Sequence, residues 1–256
     1  AAAATVTSQV ICAVLCYIYT YIRYKELRIG IKDLILQKET GIRALLSSGM
    51  SMALMSSMVA FGTLSLQSAI NSLGDNIVVA HAATRKLSGI YMLPFGVFGT
   101  AMATYSGQNY GAGHMDRIKE GIKVTILISC IYSAVCVLVS YTICPKIIEA
   151  LTSTSEPEII LNAVNYQKFD TLFYFVTAFI SVYRNALQGM GEHKLPVVSS
   201  FAELLGKLLI ALFLTPVLKY TAIIIAEPVV WIIMVIPLIY GIHKKMNGSK
   251  KHGGSE

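Results

Sequence analysis

Long apolar runs alternate with short charged or glycine-rich gaps along the whole chain. Read by length and bounding charges, the runs fall at roughly 4–22, 45–73, 77–107, 122–144, 169–188, 196–218 and 220–243. Each holds about 20 residues or more, enough to cross a hydrocarbon core of about 30 Å at about 1.5 Å per helical residue. Strands of a membrane barrel would be about half as long and would alternate apolar with polar positions, which these runs do not do. The pattern therefore predicts an all-α membrane protein of about seven transmembrane helices. Two other segments read as surface-lying. Residues 26–43 alternate charged and apolar positions, as expected of an amphipathic cytoplasmic linker helix. Residues 155–168 offer Ser155 as an N-cap, Glu156 and Glu158 in the first turn and Pro157 at its start, and are predicted to lie on the outer face. The polar, glycine-rich tail, 246–256, reads as disordered.

The gaps set an orientation. If the first run crosses from outside to inside, the inward gaps hold six basic residues from Arg23 to Arg43, then Arg117, Lys119 and Lys123, then Lys194, then Lys244, Lys245, Lys250 and Lys251. That makes fourteen, against five on the outward side: Arg85, Lys86, Lys146, Lys168 and Lys219. Basic residues concentrate on the cytoplasmic side of membrane proteins, so the excess selects this orientation. Arg85 and Lys86 fall inside the third run as drawn. Because 87–107 alone could cross, both are expected near the outer interface, and Lys168 and Asp170 likewise at the outer edge of the fifth run.

Composition agrees with a membrane protein. Only 14% of the 256 residues are charged and 55% are hydrophobic, whereas a soluble domain carries about a quarter charged residues. The net charge of +7 resides in the gaps, with no basic face interleaved with aromatics, so no nucleic-acid partner is expected. The five cysteines lie in apolar runs without C-x-x-C spacing and read as buried thiols. The five histidines are scattered, and no H-E-x-x-H is present, so neither a metal site, a cofactor nor an enzymatic activity is expected. The chain opens inside an apolar run, without Met or a basic n-region, and is therefore expected to be a piece of a longer protein.

Polar residues inside the runs are the candidate chemistry. The second run, "SSGMSMALMSSMVAFGTLSLQSAIN", is rich in Ser and ends with Gln67 and Asn71. Small hydroxyl residues serve close helix packing, or they form one wall of a hydrated cavity in which Met50, Met52, Met55 and Met58 give adaptable apolar contacts. Four charges lie well within runs: Arg184, Glu203, Lys207 and Glu227. A charge there is costly and finds a partner. Arg184 and Glu203 flank one short turn, and Lys207 and Glu227 flank the next, so two ion pairs between helices are expected. They either hold the helices together, or Glu203 or Glu227 exchanges a proton or cation. At the end of the third run, Gly107, Gln108, Asn109, Gly111 and Gly113 read as a helix stop and tight inner turn, with Gly107 and Gly111 forming a G-x-x-x-G that permits close helix approach.

That phrase, "GQNYGAGHMDRIKEG", resembles the helix-to-loop signature of the multidrug and toxin extrusion (MATE) transporters. "YRNALQGMGEHKLPVVSSFAELLGK", 183–207, resembles their tenth helix, its loop and the eleventh helix, and "AEPVVWIIMVIPL", 226–238, is a weaker match. The resemblance implies that residues 1–25 end with the last helix of an absent N-terminal lobe, that 26–43 link the lobes, and that 44–245 form the C-terminal six-helix lobe. The two lobes are parallel repeats related by an axis along the membrane normal. It further implies export of amphipathic, often cationic, drugs or toxins in exchange for sodium or protons, from a bacterial inner membrane, by alternating access. The implied partners are the N-terminal lobe, small-molecule substrates and the lipid bilayer. Arg184, Asn185, Glu203, Lys207, Glu227, Gln67 and Asn71 are the candidate pathway residues. Some members couple to ions through carboxylates midway along the seventh and tenth helices. The matching stretches here, around Val59 and Thr177, are neutral, so no ion-site residue is carried over. The alternatives are a lipid or polysaccharide flippase of the same superfamily, a membrane-embedded enzyme and a structural membrane subunit.

Overall fold

The computed structural model describes residues 2–25, 28, 41–152 and 155–252. The elements are helices throughout: α1 (Ala2–Arg23), α2 (Ile42–Asn71), α3 (Asp75–Gly111), α4 (Met115–Thr142), α5 (Cys144–Thr152), α6 (Pro157–Leu172), α7 (Tyr174–Gly189), α8 (Lys194–Leu209), α9 (Thr215–Leu218) and α10 (Tyr220–His252). By its internal contacts the chain divides into Ala1–Leu46 and Ser47–Glu256. In the first unit, α1 carries Cys12 and Cys16 exposed, not buried as expected. An apolar position on a membrane helix need not face protein. Most of the predicted linker, 26–43, lies outside the described residues.

Six helical stretches among the described residues are long and apolar enough to cross a membrane. The seventh expected crossing is divided at Phe173 into α6 and α7. Hydrogen bonding carries on through the break, with Phe173 N donating to Asp170 O and Thr177 N to Phe173 O. This corrects the reading of 155–168 as a surface segment. Ile159, Ala163, Tyr166 and Asp170 follow a helical spacing and are all buried, so α6 is one half of a helix continued by α7. Ser155 does not cap it: Glu156 occupies the N-cap position, and Ser155 Oγ donates to Glu149 Oε1 at 2.7 Å. The last helix also runs further than expected. α10 reaches His252, because extending a formed helix costs little, while 253–256 lie outside the described residues.

In the second unit α3 packs chiefly on α7 and α6, and α8 on α10. The α3–α7 crossing is made by small residues. Gly99, Ala103 and Gly107 recur at every fourth position, facing Ser181, Asn185 and Gly189 with the same spacing. A methyl group on Gly189 would collide with the Ala103 carbonyl oxygen, and one on Gly107 would sit 3.3 Å from the Gly189 oxygen. Such close backbones gain dispersion contacts where lipid provides no hydrophobic drive. Gly111 meets nothing within 4 Å, so only the first glycine of the expected G-x-x-x-G works in a crossing.

Both inner turns stop their helices in the same way. Gly113 (φ 77°) and Gly191 (φ 73°) adopt the left-handed conformation. The next amides close the end: His114 N donates to Asn109 O and Glu192 N to Leu187 O, each at 2.8 Å. Gly113 N donates to Tyr110 O and Gly191 N to Gln188 O, which completes a Schellman motif at each turn. The inner end is tied together by Ser48 Oγ and His193 Nε2, 2.9 Å apart, and by Lys245 Nζ donating to Met190 O at 3.4 Å. At the opposite end Asn76 Nδ2 donates to Glu158 Oε2 at 2.8 Å. Between α8 and α9, Ile210–Leu214 form a π-helical turn. Pro216 lacks the amide proton an α-helix would need there, and Ile210 O accepts from the Thr215 amide, five residues on, and from the Thr215 hydroxyl at 3.1 Å.

Candidate functional site

Five charges form one chain across four helices. Glu203 and Lys207 lie one turn apart on α8, acid before base, the favourable order. Lys207 Nζ lies 2.9 Å from Glu203 Oε1 and 3.1 Å from Glu227 Oε1 of α10. Arg85 Nη1 of α3 lies 3.5 Å from the same Glu227 oxygen. At the other end Arg184 Nη2 of α7 stands 4.0 Å from Glu203 Oε2, too far for a hydrogen bond, and donates to Ser199 Oγ at 3.4 Å. The middle of the chain is dry and its ends are wetter. The Lys207 side chain is 3% exposed, against 21% for Arg184 and 45% for Arg85. Gly62 of α2 makes room for Lys207, since a methyl there would sit 3.1 Å from its Cδ.

Both expected pairs, Arg184 with Glu203 and Lys207 with Glu227, are thus present, inside a longer chain. Arg85 is a correction. The surplus length of α3 predicts the outer interface, but Arg85 lies ten residues, about 15 Å, along the helix from Asp75 and reaches the buried Glu227. Asp170 is the second correction. It is 2% exposed, and its Oδ1 has no hydrogen-bond partner among the described residues. It stands within electrostatic reach of Glu227, Arg85 and Lys207. Near Arg85 and Glu227, His81 meets the Tyr166 and Tyr220 rings edge-on at 5.3 and 6.3 Å. Beside Asp170, Ser88 Oγ donates to Gln167 Oε1 at 3.1 Å, and Gln167 Nε2 donates to the Tyr174 hydroxyl at 3.2 Å.

The three cations and two carboxylates of the chain leave one positive charge in excess. Ionised Asp170 would neutralise it, and protonated Asp170 would leave it. Thr177, the neutral position flagged in the sequence, lies two turns further along the same broken helix, and its hydroxyl is also buried without a partner among the described residues.

Arg184 also belongs to a cavity of about 440 Å3. Met52, Met55, Ser56, Val59 and Ala60 of α2 form one side, and Arg184, Asn185 and Gln188 of α7 the other. Two of the four methionines flagged in the sequence therefore line it, while Met50 is 73% exposed. Asn185 Nδ2 donates to Ser181 O at 2.8 Å, and Gln188 Nε2 reaches only Met55 Sδ, at 3.8 Å. Gln67 and Asn71 are not brought here. Gln67 Nε2 donates to Asn71 Oδ1 at 2.8 Å, toward the outer end of α2. Gly107, Gln108, Asn109, Gly111 and Gly113 stay at the inner turn, where Gly113 borders a separate cavity of about 470 Å3 with Asp116, Arg117 and Lys119. A third cavity, about 840 Å3, lies by the α7–α8 turn between Ser47, His193 and Lys244. Neither of these touches the buried charges. Cys144, at the start of α5, is buried.

Comparison with known proteins finds similarity to transporters of one family. The MatE family model matches residues 50–213. The probable multidrug resistance protein YpnP of Bacillus subtilis is 30% identical over 118 residues, 46% of this chain and 26% of that protein. YoeA of the same organism, also a probable multidrug resistance protein, is 23% identical over 99 residues, 39% of this chain and 21% of that one. The fold matches the outward-facing conformation of a multidrug resistance MATE family transporter of the MOP superfamily, with a TM-score of 0.85 and 18% identity, over 98% of this chain and 56% of that chain. It also matches a MOP superfamily transporter from Pyrococcus furiosus, described as having a binding pocket of reverse polarity that suggests a different function. There the TM-score is 0.78 with 18% identity, over 97% of this chain and 56% of that chain. The chain thus spans about half the length of the solved relatives and about a quarter of the curated ones.

Proposed function

The chain belongs to the MATE family, and from that we propose that it is the C-terminal lobe, with the helix before it, of a secondary active antiporter. The whole protein exports amphipathic drugs or toxins in exchange for protons or sodium, with two lobes rocking around a central site. It works as a transporter and not an enzyme, in a bacterial inner membrane, in keeping with the two Bacillus relatives. The observation that carries this reading is Arg184, which lines the cavity between α2 and α7 and also ends the buried charge chain. Substrate in the cavity and charge in the bundle then meet at one side chain.

Of the two coupling ions, Asp170 fits the proton. Its charged neighbours are the cations Arg85 and Lys207 and the carboxylate Glu227, so a sodium ion would meet two like charges against one opposite. A proton instead removes a buried charge, and buried charges are costly. Protonation also changes the net charge of the chain that reaches Arg184, so ion and substrate influence each other through a contiguous set of contacts. The test is the intact transporter in proteoliposomes, with Asp170→Asn beside the parent. The variant should bind substrate and exchange it downhill, yet fail to accumulate it against a gradient when a pH difference is imposed. Undiminished pH-driven accumulation by Asp170→Asn rules out this carboxylate as the proton carrier.

A further inference from the structure

We propose that the cavity wall of this lobe selects amphipathic organic anions, not the cations that the family resemblance implies. The inference rests on the transport reading above and names its substrate class. Among the described residues lining the cavity between α2 and α7, Arg184 is the one with a formal charge. Glu203, the carboxylate facing Arg184, is committed elsewhere. Its Oε1 is 2.9 Å from Lys207, while its Oε2 stands 4.0 Å from Arg184.

By distance, Arg184 is therefore the most loosely paired of the chain's three cations. At the opposite end Arg85 lies closer to its carboxylate, 3.5 Å from Glu227, and Asp170 lies within reach of Arg85 and Glu227. Arg184 Nε is buried without a hydrogen-bond partner among the described residues, so the guanidinium has unused donors. A planar fork of donors suits carboxylates, sulfonates and phosphates. Gln188 adds an amide whose present acceptor is only a thioether 3.8 Å away. Facing these donors, Met52, Met55 and Val59 offer an apolar, adaptable surface for the rest of the molecule. The volume, about 440 Å3, falls in the range of small-molecule sites, about 300–1,000 Å3. An anion of this kind is either a free small molecule or a lipid headgroup, and both offer the same chemistry to Arg184.

The test uses the intact transporter in proteoliposomes and two fluorescent probes with the same aromatic body. One carries a sulfonate and the other a quaternary ammonium. A third arm follows transbilayer movement of a fluorescent phosphatidylglycerol. Expected is faster transport of the sulfonate, by about tenfold or more, as one charge-assisted contact provides. Arg184→Gln should abolish that preference, and Arg184→Lys should retain part of it. Rates are normalised to folded protein, so a purely structural loss lowers both probes alike and leaves their ratio intact. A ratio unchanged in Arg184→Gln, or a parent that prefers the ammonium probe, overturns the proposal while leaving the transport reading standing. No gradient-driven movement of any probe or lipid defeats the transport reading itself. Arg184-dependent movement of the lipid alone assigns the anion to a headgroup, and of the sulfonate alone to a free molecule.

Discussion

Replacing Lys207 by methionine keeps most of the side-chain length and removes one charge. Lys207 is 3% exposed and shared by Glu203 at 2.9 Å and Glu227 at 3.1 Å. Without it, two carboxylates 7% and 9% exposed lose their common cation. Breaking a buried pair costs about 3–5 kcal/mol. Glu203 can fall back on Arg184 and Glu227 on Arg85, which places the expected loss near the low end, about 3 kcal/mol. Glu227→Gln alone should cost less, about 2 kcal/mol for a lost charged hydrogen bond, because Lys207 keeps Glu203. The double variant Lys207→Met with Glu227→Gln leaves Glu203 to Arg184 and leaves Arg85, nearly half exposed, to water. It should therefore be more stable than Lys207→Met alone, whereas independent sites would simply add to about 5 kcal/mol. The measurement is denaturant unfolding of the purified intact protein in micelles, for the parent, both single variants and the double. Strict additivity, or a Lys207→Met protein as stable as the parent, refutes the shared-cation account.

Three further outcomes are expected. Gly189→Ala should destabilise the α3–α7 crossing by about 1–3 kcal/mol through overpacking, seen as a lower melting temperature, while Gly111→Ala, which meets nothing within 4 Å, should change stability by less than about 1 kcal/mol. In a cysteine-free background, Asp116→Cys and Lys194→Cys should resist an impermeant thiol reagent applied outside intact cells, and Ser72→Cys should react; the opposite pattern reverses the orientation. Gly62→Val should press on the Lys207 stem and lower stability, with the loss reduced when Lys207 is also methionine.

The crossings were legible because apolar length is a strong signal: α2, α3, α4 and α10 begin or end within a few residues of the runs. The glycine turns were legible for an equally local reason, since a left-handed residue at a helix end requires glycine or nearly so. The two pairs centred on α8 followed from matching depths on either side of short turns. What the sequence hid was polar burial at a distance. Asp170 sits in "NYQKFDTLFYF", where Gln167, Lys168 and Asp170 interrupt the apolar run and make it look like a surface segment. The spacing of Ile159, Ala163, Tyr166 and Asp170 marked a buried face, but only the packing of α3, α4, α5 and α10 against α6 reveals this. Arg85 was hidden by the surplus length of α3, because composition cannot say which part of a 37-residue helix lies among charged neighbours. His81, Arg85 and Ser88, spaced four and three apart, were the available hint.

The central claim is that an ion gradient drives amphipathic molecules across the membrane by way of this lobe. Its most direct test is accumulation of a fluorescent amphipathic probe by the reconstituted intact transporter, with pH and sodium gradients imposed separately and the voltage clamped. The account predicts uphill accumulation under the pH gradient that collapses when a protonophore is added. Accumulation that is the same with and without either gradient would contradict it.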